Sequence, residues 1–484
     1  MKILASSWLF VAAVTLVPSS AFSTNSLWGM QQKSTALFNY DKDTPSELPS
    51  FASKEEYEAF LMEASGLPSG FSIGSAVGSF VPLEAPAMGS LKIKGTIIHL
   101  PDGPTDNWGA VFTSNKFPGS PIKVGRARLA SGKPIQAIVI NNKVSNVCSG
   151  GDGVANAELV CEAVANALKL EGGVESVLPS STGVIGWRLP AQELATDVVP
   201  KAIENMQSES AFAAARDIMT TDRYPKLRSK TLSNGARIVG IAKGAGMIEP
   251  NMATMLSYIM TDAEVPKESL QSMLATAVNG SFNSISVDGD ESTSDTAVIL
   301  SSNKFKMEGD EIMNEFQNAL NEICKGLAED LVRNGEGTGH VMQVTIENFP
   351  GTNLEARRLG RHVVNSPLFK CAVCGNDPNI GRLAGAVGSF MGKFKTDSDV
   401  SKMVMTIGGR NIFKEGKFVL EGDAVEKELS DHMVDAQQNE HSDYPEHQKC
   451  VNIGIDFVVG DASAVVYGSD LTNEYIAVNA DYRS

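Results

Sequence analysis

The segment Lys243-Gly-Ala-Gly-Met-Ile-Glu-Pro-Asn-Met-Ala-Thr-Met-Leu256 places one hydroxyl, Thr254, behind a run of turn-forming and small residues. Gly244 and Gly246 admit φ angles closed to other residues and let backbone N–H groups approach a ligand, while Pro250 interrupts any helix across the segment. The chain then turns apolar at Met255, Leu256, Tyr258, Ile259 and Met260, a buried element able to hold a hydroxyl rigidly, as a nucleophile requires. These residues alone leave two readings open: a nucleophile on a presented loop, or a Gly-rich connection into a core strand.

Other candidate motifs are weaker. Gly70-Phe-Ser-Ile-Gly74 matches the GxSxG nucleophile elbow, which needs a strand before it and a helix after it. Here Gly66-Leu-Pro-Ser69 precedes and a Gly/Ser-rich run follows, so a Ser72 nucleophile is not expected. The acidic run Val287-Asp-Gly-Asp-Glu-Ser-Thr-Ser-Asp-Thr296 fails as a calcium loop because Thr293 stands where that loop needs glycine. It reads as a loop-ordering network. Cys371-Ala-Val-Cys374 has no second pair or nearby histidine to complete a zinc site, and the six histidines form no HExxH cluster. No metal centre is expected. Ser180-Ser-Thr-Gly-Val-Ile-Gly186 reads, standing alone, as a turn between elements, and Lys243, Thr220 and Glu336 as a surface lysine, a helix C-terminal residue and an exposed turn glutamate.

The elements that must position these residues are of α/β character. β-Branched runs at 95–100 and 135–140 predict strands, and Leu159, Ala163, Ala167 and Leu168 predict a helix after Gly150-Gly-Asp-Gly153. A further helix opens at Pro266 and ends at Asn279-Gly280, and a longer one with Ile312, Phe316, Leu320, Ile323, Leu327 and Leu331 inward stops at Asn334-Gly335. Strands at 452–459 and 463–467 are expected to form a hairpin through Gly460-Asp461. With 484 residues, 42% hydrophobic, the chain can bury large cores and is expected to form two or three domains. A net charge of -16 argues against nucleic acid or an anionic membrane as main partner and favours small molecules. Six cysteines are too sparse for a disulfide scaffold and read as mostly buried thiols.

At the start, Met1-Lys2 and the apolar stretch to Val17 form the n- and h-regions of a signal peptide, too short to span a membrane as a mature helix. Ser19, Ser20 and Ala21 precede Phe22, and 23–33 is free of acidic residues. This arrangement resembles the bipartite presequences of algae with complex plastids, giving a signal peptide over 1–21 and a transit peptide and linker over 22–53; the alternative is ordinary secretion. Asp41 to Ser53 is polar and Pro-containing and reads as a linker, with the fold beginning near Lys54.

Over all its positions the 243–256 segment resembles the signature of the ornithine acetyltransferases, also called bifunctional glutamate N-acetyltransferases, and the resemblance runs from about residue 66 to the last. It implies a layered α-β-β-α fold, autocatalytic scission of Ala253-Thr254 into chains 54–253 and 254–484, and a heterotetramer with two copies of each. The freed Thr254 would be the nucleophile, with its own α-amine as base; such an amine titrates near pH 7.7 to 8.0, close to working pH. Thr182 and Gly183 match the oxyanion-hole pair. Thr220, in Ile218-Met-Thr-Thr-Asp222, together with Lys243, Thr254, Glu336, Asn479 and Ser484, matches the substrate-contacting positions. The implied reaction is a ping-pong transfer of acetyl from N-acetylornithine to glutamate, an arginine-biosynthetic step with no metal or nucleotide cofactor; acetyl-CoA as a further donor stays open. Departures from the family pattern fall at 141–150, Glu291, Ser294 and Ile380, the last within a Gly375–Arg382 motif given no catalytic role. The rivals are an amidase or aminopeptidase with the same nucleophile arrangement, and a non-catalytic relative, against which the presence of Thr182, Gly183, Lys243 and Thr254 speaks.

Overall fold

The computed structural model describes residues 40, 42–249, 255–419, 422–439 and 441–481. The presequence reading through residue 39, together with Ala253, Thr254 and Ser484, lies outside them. Among the described residues no helix is long and apolar enough to cross a membrane.

Two sheets pack face to face between helices. The first has the order β1-β2-β4-β5, with β1 (Ser72–Phe80), β2 (Leu91–His99), β4 (Ala137–Asn141) and β5 (Val177–Ser181). The second has the order β3-β10-β8-β7-β6, with β3 (Trp108–Phe112), β6 (Lys226–Thr231), β7 (Arg237–Lys243), β8 (Leu256–Glu264) and β10 (Thr296–Lys306). Helices α1 (Gly153–Leu168) and α2 (Val199–Glu204) cover the first sheet through Val160, Val164, Val199 and Ala202, while α3 (Lys267–Gly280) and α4 (Asp310–Arg333) cover the second through Leu270, Leu274, Leu320 and Ile323. The result is the expected α-β-β-α layering.

β8 shows why its sequence is a nearly unbroken apolar run rather than an alternation. Successive side chains of a strand point to opposite faces. Leu256, Tyr258 and Met260 enter the core between the two sheets, and Ile259 and Ala263 the core beneath α3 and α4. Each such large apolar side chain removed from water is worth about 1.5–3 kcal/mol, so the strand that follows Thr254 is firmly anchored. It lies between β7, antiparallel, and β10, parallel.

Tyr40–Ser484 form one compact unit where the length suggested two or three domains. The reason is visible in the second sheet, in which β3, β6 and β7 precede residue 253 and β8 and β10 follow it. No domain boundary can fall there without breaking a ladder. A third, seven-stranded sheet has the order β14-β13-β12-β15-β11-β16-β9, including β9 (Ile285–Ser286), β11 (Val341–Phe349), β12 (Val404–Ile407), β13 (Arg410–Lys414), β14 (Lys417–Phe418), β15 (Val451–Asp456) and β16 (Ala462–Ser469). It is covered by α5 (Asn353–Val364) and α6 (Ile380–Phe394).

Three expectations are corrected here. β15 and β16 are not a hairpin: β11 lies between them, parallel to the first and antiparallel to the second, so that the connection through Gly460-Asp461 passes over β11. Periodicity marks strands but not which strand is paired with which. The segment 42–53 is packed rather than a linker: Thr44, Leu48 and Phe51 are buried and the Thr44 N–H donates to Ser229 O (3.1 Å). Only three of the six cysteines, Cys161, Cys324 and Cys450, are buried, whereas Cys148 and Cys371 are exposed.

Candidate active site

Where β5 and β7 end, side chains from five distant stretches of chain converge on a cavity of about 530 Å³ whose wall includes Thr182, Gly183, Thr220, Lys243, Glu336 and Asn479. Six of the residues named from sequence are thus brought together.

Thr182 and Gly183 leave the end of β5, which is fixed by two buried hydrogen bonds: Tyr258 Oη with Ser180 Oγ (2.6 Å) and Ser181 Oγ to Asn141 Oδ1 (2.6 Å). The Thr182 N–H is used by Asn141 O (3.0 Å) and the Val184 N–H by Lys143 O (2.9 Å). Between them, the Gly183 N–H has no acceptor among the described residues. Gly183 holds φ +126, and a Cβ there would run into the Lys143 carbonyl, so no side chain fits. The 141–150 stretch that departs from the family pattern abuts Gly183 through Lys143 and lines the cavity through Ser145, with Lys143, Asn146 and Cys148 in left-handed backbone. An uncommitted N–H beside a hydroxyl is a pair of donors for a developing oxyanion.

Lys243 is 4% exposed, not a surface lysine. Its Nζ donates to Thr182 Oγ1 (2.9 Å) and Thr220 Oγ1 (3.2 Å). Burial depresses its pKa, and the neighbouring Lys226 adds to this, against the opposing fields of Asp222, Asp295 and Glu336. Sequence reading missed the residue at the centre of this arrangement, Asp222. Its carboxylate accepts from the Thr220 N–H (3.0 Å), the Gly244 N–H (2.7 Å) and Lys226 Nζ (2.5 Å), and Lys226 in turn donates to Asn334 Oδ1 (2.5 Å) at the end of α4. One buried acid therefore ties together the stretches bearing Thr220, Lys243 and Glu336. Burial would raise its pKa, but Lys226, Lys243 and these hydrogen bonds outweigh burial and hold it at about 2.

Removing one partner of a buried pair leaves an uncompensated charge, so Asp222→Ala is expected to cost about 3–5 kcal/mol of stability, measured by chemical denaturation. Because the folded pKa lies below the unfolded one, near 3.9, the contribution of Asp222 is complete above that value and fades as pH falls toward 2. The stability difference between wild type and the Asp222→Asn variant should therefore shrink across this window, and a difference constant down to pH 2 would reject the assignment. No pattern in sequence marks Asp222, since an acid two residues from a threonine has many surface explanations.

Glu336, expected on a turn, is 8% exposed. Its N–H donates to Ala245 O (2.8 Å), its side chain packs on Gly246, where a Cβ would collide with it, and it accepts from Asn479 Nδ2 (2.8 Å). Burial raises the pKa of its carboxyl, which suits a cationic ligand group that would restore the charge. Asn479 belongs to α7 (Asn473–Ala480), capped by Thr472, whose hydroxyl donates to Gly337 O (2.6 Å). Up to residue 481, then, the C-terminal end is docked over the cavity. Asp288 bears out the loop-ordering reading of the acidic run: it accepts from the Met247 N–H (2.6 Å), the Ile248 N–H (2.8 Å) and Tyr475 Oη (3.3 Å).

Asp295 is a second residue that the sequence did not single out. It is 2% exposed, and both carboxyl oxygens lack a hydrogen-bond partner among the described residues. The Met255 N–H and the Thr113 hydroxyl face it without reaching hydrogen-bond geometry, the latter being engaged with Ser292 O (2.6 Å). Burial raises its carboxyl well above the usual range. Ser72 opens β1 rather than sitting at a strand-to-helix turn, and Asn379, in the 375–382 motif, caps α6 by accepting from the Arg382 N–H (3.1 Å). Among the described residues no group of three or more His, Cys, Asp and Glu side chains is gathered as a metal site.

The sequence model described as the ArgJ family matches residues 92–484. A curated relative from Clostridium acetobutylicum, described as arginine biosynthesis bifunctional protein ArgJ 2, is 37% identical over 77% of this chain and 89% of its own. A Methylococcus capsulatus protein, described as arginine biosynthesis bifunctional protein ArgJ, is 38% identical over 78% of this chain and 88% of its own. Among solved structures, ornithine acetyltransferase of Mycobacterium tuberculosis in complex with ornithine is 30% identical, covering 39% of this chain and 96% of that one, with a TM-score of 0.33.

Proposed function

The chain belongs to the ArgJ family, and on that premise we propose that it transfers acetyl from N-acetylornithine to glutamate, yielding ornithine and N-acetylglutamate for arginine biosynthesis. The observation that carries the reading is the convergence of Thr182, Gly183, Thr220, Lys243, Glu336 and Asn479 on one cavity. Sequence neighbours do not explain that meeting.

In this reading Thr254 first attacks the Ala253 carbonyl, and hydrolysis of the resulting ester leaves Thr254 at a new chain start. Its hydroxyl then attacks the acetyl carbon while its α-amine takes the proton. The oxyanion is held by the Thr182 hydroxyl and the Gly183 N–H. Collapse breaks the amide bond, the proton returns to the departing α-amine of ornithine, and acetyl stays on Thr254. Glutamate enters, its amine attacks the ester, and the same donors serve again. Glu336 holds the side-chain ammonium of ornithine through a charge-assisted pair, with Thr220, Lys243, Asn479 and Ser484 as further contacts. Since strands from both sides of residue 253 share one sheet, scission would leave the two chains associated, and two copies of each form the heterotetramer.

Acetyl transfer to glutamate, followed with N-acetylornithine and with acetyl-CoA as alternative donors, tests the function. Glutamate-dependent transfer is expected with the first; acetate release independent of glutamate would assign the chain to the hydrolases instead. The signal and transit peptides read at the start of the chain are proposed to direct it to a plastid, with secretion as the alternative, and a fluorescent fusion of the residues ahead of Tyr40 distinguishes the two destinations.

The docking of α7 leads to one more expectation. Residues appended after Ser484 should lower kcat/KM by up to ~10²-fold, because small displacements of a binding group are enough to cost that much. The same residues placed ahead of Tyr40 should change it little. Equal kcat/KM in both tagged forms, with equal melting temperatures, would remove Asn479 and Ser484 from the site.

A further inference from the structure

Lys243 is buried at the cavity wall, yet the groups its ammonium touches are the hydroxyls of Thr182 (2.9 Å) and Thr220 (3.2 Å). A threonine hydroxyl has one proton to give and two lone pairs to receive with. An ammonium has protons only, so at Thr182 the oxygen is the acceptor and its single proton must point elsewhere. Among the described residues no acceptor takes that proton, and Thr182 lines the cavity. The remaining direction is the cavity, beside the uncommitted N–H of Gly183.

We infer that Lys243 is a positioning residue that acts through Thr182, turning the hydroxyl proton toward the oxyanion and polarising it, rather than chiefly a ligand of the substrate. The inference rests on the oxyanion role proposed for Thr182 and goes beyond it. The lysine is itself held to the task. Its backbone runs from the end of β7 into Gly244, whose N–H is bound by Asp222, and Asp222 also fixes Thr220, the second hydroxyl in contact with the ammonium. Burial alone would drive Lys243 toward its neutral form, and Lys226 works in the same direction, while Asp222, Asp295 and Glu336 oppose both. A donor already in place beside the hydroxyl strengthens a hydrogen bond formed in the transition state, where preorganised donors have their greatest effect.

The test is a double-mutant cycle on the full chain with Thr182→Ala, Lys243→Met and the double variant, reading kcat, KM and the Kd for N-acetylornithine. The expected result is a kcat loss of ~10²-fold for Lys243→Met with KM and Kd within ~3-fold of wild type. In the double variant the loss should equal that of Thr182→Ala alone, since residues acting through one another do not add. Multiplying losses, or a KM or Kd raised at least ~30-fold with kcat kept, would overturn the inference and make Lys243 a substrate ligand. If Thr182→Ala leaves kcat unchanged, the oxyanion reading falls and this inference with it; multiplying losses leave that reading standing. Should the methionine form not fold, Lys243→Gln, which keeps a donor without the charge, takes its place in the cycle. Forms that stay uncleaved are judged on Kd alone, where a positioning residue leaves binding intact and a ligand weakens it.

Discussion

Thr254→Ala is expected to yield a single uncleaved chain with acetyl transfer reduced at least ~10⁴-fold, the scale on which loss of a nucleophile acts when binding and oxyanion groups are left in place. Wild-type protein should run as two fragments, the second with Thr254 as its first residue by N-terminal sequencing. The physical motive is that one residue has to supply both hydroxyl and base. An internal threonine has no α-amine, and among the described residues the cavity wall contains no histidine. Thr254→Ser should retain cleavage and part of the activity, because it keeps both groups. An intact chain that is fully active, or an alanine variant that still cleaves after Ala253, would refute the assignment.

Thr182→Ala is expected to lower kcat by ~10²- to 10³-fold, the effect of removing one oxyanion donor, with KM changed only a few-fold. The charge it meets exists in the transition state and not in bound N-acetylornithine, so the loss belongs in turnover. The uncommitted Gly183 N–H would remain and account for residual activity. A large rise in KM with kcat preserved would instead make Thr182 a ground-state ligand. Steady-state kinetics with melting temperatures in parallel separates these outcomes from unfolding, and a tetrahedral acyl-transfer analogue should lose affinity in the variant more than the substrate does.

How far the sequence could be read is clearest from single residues. Thr182, Gly183 and Glu336 were reachable only through the family resemblance; the α4 pattern, Phe316 through Leu331, fixes where the helix stops and the Gly-rich turn begins, and no more. Asp222, Lys226 and Asp295 carry no such mark. Their importance comes from being buried, and burial of a charged residue depends on which distant elements close over it. The hairpin expected at 452–467 failed for a related reason, since alternation records that a strand has two faces and is silent on its neighbour across the ladder.

The sequence by itself determined the apolar periodicities that build the α-β-β-α layers, the Gly and Pro punctuation around 244–250, and the small set of hydroxyls, amines and carboxyls available for acyl transfer. These are local properties, set by side-chain period and backbone conformational limits within a few residues. The tertiary structure decided which of those groups meet: Lys243 against Thr182 across 61 positions and Asn479 against Glu336 across 143. It also decided that strands on both sides of residue 253 share one sheet. Such meetings follow from the packing of whole elements, because the pairing of distant segments is fixed by the burial they achieve together, which no single segment specifies.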